Sequence, residues 1–366
     1  MSKTHSLLRL LRGLLMLGLF GLLLPLRAEP YLAVQAGLKC VACHVNATGG
    51  GLRNALGNAF AQRSLPANTL PEDWYRWNGA VTDYLRLGGD YRGSQQRASM
   101  PGQASQRDSG TDQFRLYGEL KLLSEHAALV LDESVAPGKA QRQEAYLRLA
   151  TQGQAWYLKA GQFYLPFGWR LQDSSSLVRS TSGINMSVPD KGVELGLERD
   201  QWSAQLSYTR GPGNKGMGSG HQLGAQLVHL QDWGRLGLAW ASTAARAGDR
   251  RAIGVFAGAN QGPVSYLVEL DLVSDEGFPE GRRRMLASLA EANWLITQGH
   301  NLKLTLESLD PDRRVAHDRK VRHSLVYEYT PIPYLQLRAG LRRHDGIPQN
   351  AFDNRRQSFL ELHGFF

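Results

Sequence analysis

The stretch Phe114-Arg115-Leu116-Tyr117-Gly118-Glu119-Leu120-Lys121-Leu122 alternates without a break. Successive side chains of an extended strand point to opposite sides. Phe114, Leu116, Gly118, Leu120 and Leu122 therefore share one face, and Arg115, Tyr117, Glu119 and Lys121 the other. The pattern returns in Leu302, Leu304 and Leu306 against Lys303, Thr305 and Glu307, and in Leu335, Leu337, Ala339 and Leu341 against Gln336, Arg338, Gly340 and Arg342. A soluble β-sandwich also alternates, but it needs an apolar inner face to pack a dry core. An inner face of Arg, Glu and Lys suits a wet lumen instead. From about Asp83 to the end the chain holds about sixteen such runs, each near the ten residues or so that a tilted membrane strand requires.

The connections follow the same logic. Short links fall at Glu125-His126, 152–154, 199–201, 231–233, 260–262, 297–300 and 330–333, and longer polar links at 95–110, 165–191, 211–220, 275–282 and 310–319. Alternating short turns and long loops are the habit of outer-membrane barrels. An even strand count then puts both ends of the barrel on the periplasmic side. Ser358, Leu360, Leu362, Gly364 and Phe366 alternate to the last residue, like the terminal strand signal of outer-membrane proteins. The expected fold is mainly β: a transmembrane antiparallel barrel of about 16 strands over residues 81–366.

The beginning of the chain reads differently. Lys3, Arg9 and Arg12 precede the apolar Leu14–Leu24, and Arg27-Ala28 offers a cleavage point before Glu29, so residues 1–28 are expected to be a signal peptide rather than an anchor. Removing its four basic residues lowers the formal net charge from +9 to +5, without the dense clustering that nucleic-acid binding needs. Residues 66–80 read as a linker, kept extended by Pro66 and Pro71. Trp74, Tyr75 and Trp77 in it suit either a membrane boundary or the barrel rim.

Between these segments, residues 29–65 contain Cys40-Val41-Ala42-Cys43-His44, which holds both cysteines of the chain. Cys-x-x-Cys-His is the attachment signature of a c-type haem: each thiol adds to a vinyl group, and the adjacent imidazole becomes the proximal iron ligand. Two other readings compete. A redox disulfide of the thioredoxin type wants a βαβ surrounding that is not visible, and a zinc site wants further ligands where 29–80 offers no other His. Cys40 and Cys43 are thus the candidate covalent haem sites, and His44 the candidate metal ligand. Leu52, Leu56, Ala59 and Phe60 fall at helical spacing, as a face for an apolar macrocycle or as the cap of a small core. No Met lies in the unit, so the sixth position is left to Asn46, Asn54, Asn58, the amino terminus at Glu29, a barrel histidine such as His126 or His300, or to no ligand. A unit this short needs the haem, and the barrel, to be ordered.

A signal peptide, a very small α-helical monohaem cytochrome c unit and a barrel of about sixteen strands together resemble the fused monohaem cytochrome-porins of iron-oxidising bacteria. Ala160-Gly161-Gln162-Phe163-Tyr164-Leu165-Pro166-Phe167-Gly168-Trp169-Arg170 is also similar to a segment recurring in porins related to phosphate-selective ones. The resemblance implies an electron carrier rather than a turnover enzyme. It would have one covalent haem c, an extracellular electron donor or acceptor, a periplasmic cytochrome or other carrier as partner, and outer-membrane lipid around it. Two further readings are an anion-favouring passive porin with a disulfide-stapled periplasmic plug, and a haem-based sensor or small-molecule enzyme.

Overall fold

The structure, a computed structural model, describes residues 29–71, 76–173, 175–184, 188–211 and 220–366. The expected signal peptide and the linker residues Trp74 and Tyr75 lie outside them. Sixteen strands form one closed barrel in which each strand pairs antiparallel with its sequence neighbour, and the last returns to the first. In order they are β1 (Leu85–Ser99), β2 (Gln106–Leu123), β3 (Ala127–Ala136), β4 (Gln141–Ala150), β5 (Trp156–Phe163) and β6 (Asp190–Arg199). Then come β7 (Trp202–Thr209), β8 (Gly220–Gln231), β9 (Gly234–Ala245), β10 (Arg250–Gln261) and β11 (Val264–Asp275). The circuit ends with β12 (Arg283–Thr297), β13 (His300–Asp310), β14 (Lys320–Ile332), β15 (Leu335–Asp345) and β16 (Arg356–Phe365).

Closure leaves no strand edge with unpaired backbone, which a sheet in lipid requires. The stretch that decided the fold behaves as its alternation requires. Leu116, Leu120 and Leu122 are exposed on the outside of β2, while Arg115, Tyr117 and Glu119 are buried inside. Leu131, Leu158, Leu195, Leu206, Leu238 and Leu270 continue an apolar outer surface around the barrel. A continuous apolar exterior of this extent marks a membrane-facing surface. One boundary differs from expectation: much of 95–110 is strand, with Ser94–Ala98 paired to Gln106–Gly110. Polar residues can extend a hairpin beyond the apolar band because its backbone bonds are made within the hairpin.

Turns at one end of the barrel are short, at 124–126, 151–155, 200–201, 232–233, 262–263, 298–299 and 333–334, and both barrel termini lie there. Loops at the other end are mostly longer, and 164–189 is the longest. That loop folds inward. Leu165, Phe167, Trp169 and Leu171 are buried in the main apolar cluster, and its short helix Leu177–Ser182 lies against β11, β12 and β13.

The lumen is partly filled, with two cavities left open in it. Residues 29–65 enter it from the short-turn end and are held by the walls. Tyr31 Oη donates to Glu328 at 2.9 Å, Arg148 Nη1 to the Val45 carbonyl at 2.7 Å, and Lys159 Nζ to Asn46 Oδ1 at 2.9 Å. Inner-face charges cancel in pairs, as in Arg115–Asp132 at 2.9 Å, Arg148–Glu119 at 2.9 Å and Lys159–Glu194 at 2.7 Å. A charged inner face therefore also suits a partly filled interior, because its ions are matched. The plug reading changes accordingly: the unit sits in the lumen, not in the periplasm. Trp77 takes the rim position, donating its backbone N–H to Tyr334 Oη at 3.1 Å and meeting Phe366 edge-on.

Candidate cofactor site

The 29–65 unit contains three elements: α1 (Pro30–Gln35), a 3₁₀ turn at Cys40–Ala42, and α2 (Ala55–Arg63). The turn between the last two is set by Gly49-Gly50-Gly51, with φ of +88°, +70° and +65°, a left-handed run that glycine adopts without penalty. It folds Val45 back on Leu52 (N to O, 3.0 Å) and brings Asn54 to Cys43. The Asn54 side chain accepts from the Gly57 amide at 3.0 Å, capping α2, and donates to the carbonyls of Val41 and Ala42. A Cβ on Gly57 would lie 2.1 Å from the Cys43 carbonyl oxygen, so α2 approaches the motif as closely as a glycine allows.

Cys40, Cys43 and His44 come together on the wall of a cavity with about 1150 Å³ of open space, part of it continuous with solvent. The wall is largely apolar: Leu32 and Leu38 from the unit, Phe60 from α2, Trp169 from the inward loop, and Val228 and Phe256 from the barrel. Both thiols are free. Burial raises both, and for Cys43 the Cys40 thiol adds to the rise. A thioredoxin-type pair works the other way, through a depressed thiol pKa.

His44 is 3 % exposed, and neither ring nitrogen has a hydrogen-bond partner of normal geometry. Burial, reinforced by the Arg53 and Arg170 guanidiniums, pushes the imidazole from 6.5 down to about 3, against a small opposing effect of the Gly51 and Gly50 backbone. The ring is neutral at ordinary pH, with a lone pair to offer. Among the described residues no group of three or more His, Cys, Asp or Glu side chains is placed to hold a metal ion.

A covalently attached haem fits the residues present. Two thiols and an unpartnered imidazole border an apolar cavity, and glycines leave the space beside Cys40 open: a Cβ on Gly49 would stand 3.3 Å from its Sγ. The expected helical face shifts. Gly57, Phe60 and Ala61 line the cavity, whereas Leu56 is 53 % exposed, and Leu52 precedes α2 to pack with Tyr117, Val130 and Tyr146. Of the candidates for a second axial ligand, Glu29 alone lines the cavity. Asn46 is bound to Glu144 and Lys159, and Asn54 is spent as a cap. Asn58 is buried elsewhere, with Gly79 above it. His126 meets the Ala150 carbonyl at a turn, and His300 pairs with Tyr327.

A second cavity opens at the long-loop end, with Arg92, Arg338, Arg342 and Arg355 among its lining residues. The inward loop divides the two cavities: Arg170 lines the first and Gln172 the second. Neither the inward loop nor the luminal position of the unit was read from sequence, although the period-two apolar stripe Leu165, Phe167, Trp169, Leu171 was a signal for the former.

No family model and no curated protein matches the sequence. Solved structures share the fold. An anion-selective porin from Comamonas acidovorans aligns with TM-score 0.61 and 13% identity over 77% of this chain and 99% of its own. A loop L8 deletion mutant of OmpT from Vibrio cholerae gives 0.60 and 11% over 78% and 100%, and the outer membrane channel DcaP of Acinetobacter baumannii 0.58 and 11% over 77% and 97%. The chain has the porin-like sixteen-stranded barrel fold.

Proposed function

We propose that the chain is an outer-membrane electron carrier in which one c-type haem, attached to Cys40 and Cys43 and ligated by His44, sits inside a porin-like barrel. One observation carries this reading: a buried imidazole, its ring nitrogens without a hydrogen-bond partner of normal geometry, directly follows the two thiols on the wall of a largely apolar cavity. When bound, haem supplies a one-electron couple at its iron.

The protein's own residues provide the rest. Gly57 and Asn54 clamp α2 to the motif and fix where the thiols and the imidazole point. Leu32, Phe60, Val228 and Phe256 give the cavity apolar walls, which would lower the dielectric around a bound haem and so tune its potential. Short turns of outer-membrane barrels face the periplasm, which gives the unit access to a periplasmic cytochrome. The opposite route is short as well. Arg170 and Gln172 are two residues apart, so an extracellular donor or acceptor in the outer cavity is one loop thickness from the inner one. Absorption spectra and a haem stain of the outer-membrane fraction test the reading. Wild type should carry a covalent, redox-cycling haem that Cys40→Ala and Cys43→Ala lose; no haem in the wild type overturns it.

A passive porin favouring anions is the second reading. It is supported by the likeness to channel-forming barrels, one of them described as anion-selective, and by the arginines of the outer cavity. On that reading residues 29–65 are a plug, and their removal raises single-channel conductance.

A further inference from the structure

The inner cavity carries more positive charge than its protein partners use. Arg53, Arg170, Arg235 and Lys39 line it, against the single carboxylate of Glu29. Lys39 is engaged by the Trp202 carbonyl at 2.5 Å and Glu198 at 3.4 Å, and Glu29 by Lys303 at 3.2 Å. The three guanidiniums are only partly satisfied. Arg53 Nη2, Arg170 Nε and Arg235 Nε are buried without a hydrogen-bond partner, in side chains of which Arg53 and Arg235 are 6 % and 3 % exposed. Native folds rarely leave a buried charged donor unused.

Their remaining nitrogens fix two of them in place. Arg170 Nη1 donates to Thr48 Oγ1 at 2.6 Å, with Nη2 3.5 Å from Glu144, and Arg235 Nη2 donates to the Ala33 carbonyl at 2.8 Å and to that of Leu38. Arg235 also faces the Cys40 thiol, a weak acceptor. Desolvated guanidiniums on a largely apolar wall are what a flat apolar molecule with carboxylates would need, since the guanidinium fork matches a carboxylate.

We propose that Arg53, Arg170 and Arg235 receive the two propionate carboxylates of the haem, so that the cavity selects a planar dianion and orients it before the thiols react. The proposal rests on the haem reading. It is tested with the full-length Cys40→Ala/Cys43→Ala chain in detergent, using metal-free protoporphyrin IX and its uncharged dimethyl ester as fluorescent probes. Neither probe has a metal for His44 to ligate, so the carboxylates are the main difference between them. The free acid should bind at least about tenfold more tightly than the ester, the weight of one charge-assisted contact. Arg170→Gln and Arg235→Gln should each remove most of that preference, while Arg199→Gln, at a solvent-exposed turn, keeps it.

Equal affinity for acid and ester overturns the proposal and leaves the haem reading standing. Binding of neither probe also overturns it, and the intact mass of the wild type, with or without haem, then decides whether the haem reading falls too. The acid-to-ester ratio on one protein needs no arginine variant, so a variant that fails to fold does not blunt the test.

Discussion

Replacing Gly57 with alanine separates a helix packed tightly on the Cys40–His44 motif from a loosely attached one. On a free helix the change is favourable by about 1 kcal/mol, because alanine is the better helix former. Here the new Cβ would lie 2.1 Å from the Cys43 carbonyl oxygen, 3.0 Å from its carbon and 3.2 Å from Arg53 Cβ, where ordinary contact begins at 3.4 Å. The nearest obstacle is backbone, so α2 has to retreat by roughly 1 Å, and overpacking of this kind costs about 1–3 kcal/mol. The retreat also loosens the Asn54 bonds to Val41 and Ala42 at 3.1 and 2.9 Å, worth about 1 kcal/mol each. The balance is a loss of about 2 kcal/mol in the unit's resistance to opening, or roughly thirtyfold faster exchange. Hydrogen–deuterium exchange of peptides covering 40–62 in the full-length barrel reads it directly, with strand peptides as internal reference. Leu56→Ala, on the same helix but exposed, should leave exchange within a fewfold of wild type. Protection equal to wild type or greater in Gly57→Ala would refute the packing of α2 on the motif.

Three other outcomes follow from the same geometry. Arg148→Met removes the donor to the Val45 carbonyl and strands Glu119, whose next cation, Arg86, is 3.8 Å away; protease resistance of residues 29–65 should fall by about 3 kcal/mol. Burial alone would raise the Asp173 carboxyl, but Arg322 and Arg342 hold it well below the usual carboxylate range. Its depressed pKa stabilises the inward loop fully above the unfolded value of 3.8, and that stability is lost as pH falls through the lower folded value, so protection of 164–173 should persist through mild acid and fail only in strong acid. Among the described residues no Met and no second His lines the inner cavity, so the spectrum of the loaded protein should lack a Met-to-iron charge-transfer band.

The barrel was legible because a two-residue period is a direct imprint of strand geometry. Arg115, Tyr117 and Glu119 against Leu116 and Leu120 fix which face is which before any packing is known. The filling of the lumen was not legible. An inner face of Arg, Glu and Lys suits water or matched ions equally, and what distinguishes them is pairing across strands, as where Lys159 stands opposite Glu194 in the β5–β6 register. Cys40, Cys43 and His44 could be named as candidates from spacing alone, since the thioether chemistry of a c-type haem would require that spacing. The cavity beside them could not, because its wall draws on Trp169, Val228, Arg235 and Phe256, residues brought together only by closure of the barrel and the inward turn of one loop. The helical face was misassigned at Leu56 because α2 begins at Ala55, so Leu52 lies outside the helix and the periodicity does not run through it.

Intact mass spectrometry of the purified full-length protein, made in cells that attach haem c, tests the central claim most directly. The account predicts a mass raised by one haem in the wild type, unchanged by denaturant and acid–acetone extraction because the bonds are thioethers, and absent in the Cys40→Ala/Cys43→Ala chain. A wild-type mass without haem, with both cysteines present as thiols or as a disulfide, would contradict it and leave a porin-like barrel with a protein plug.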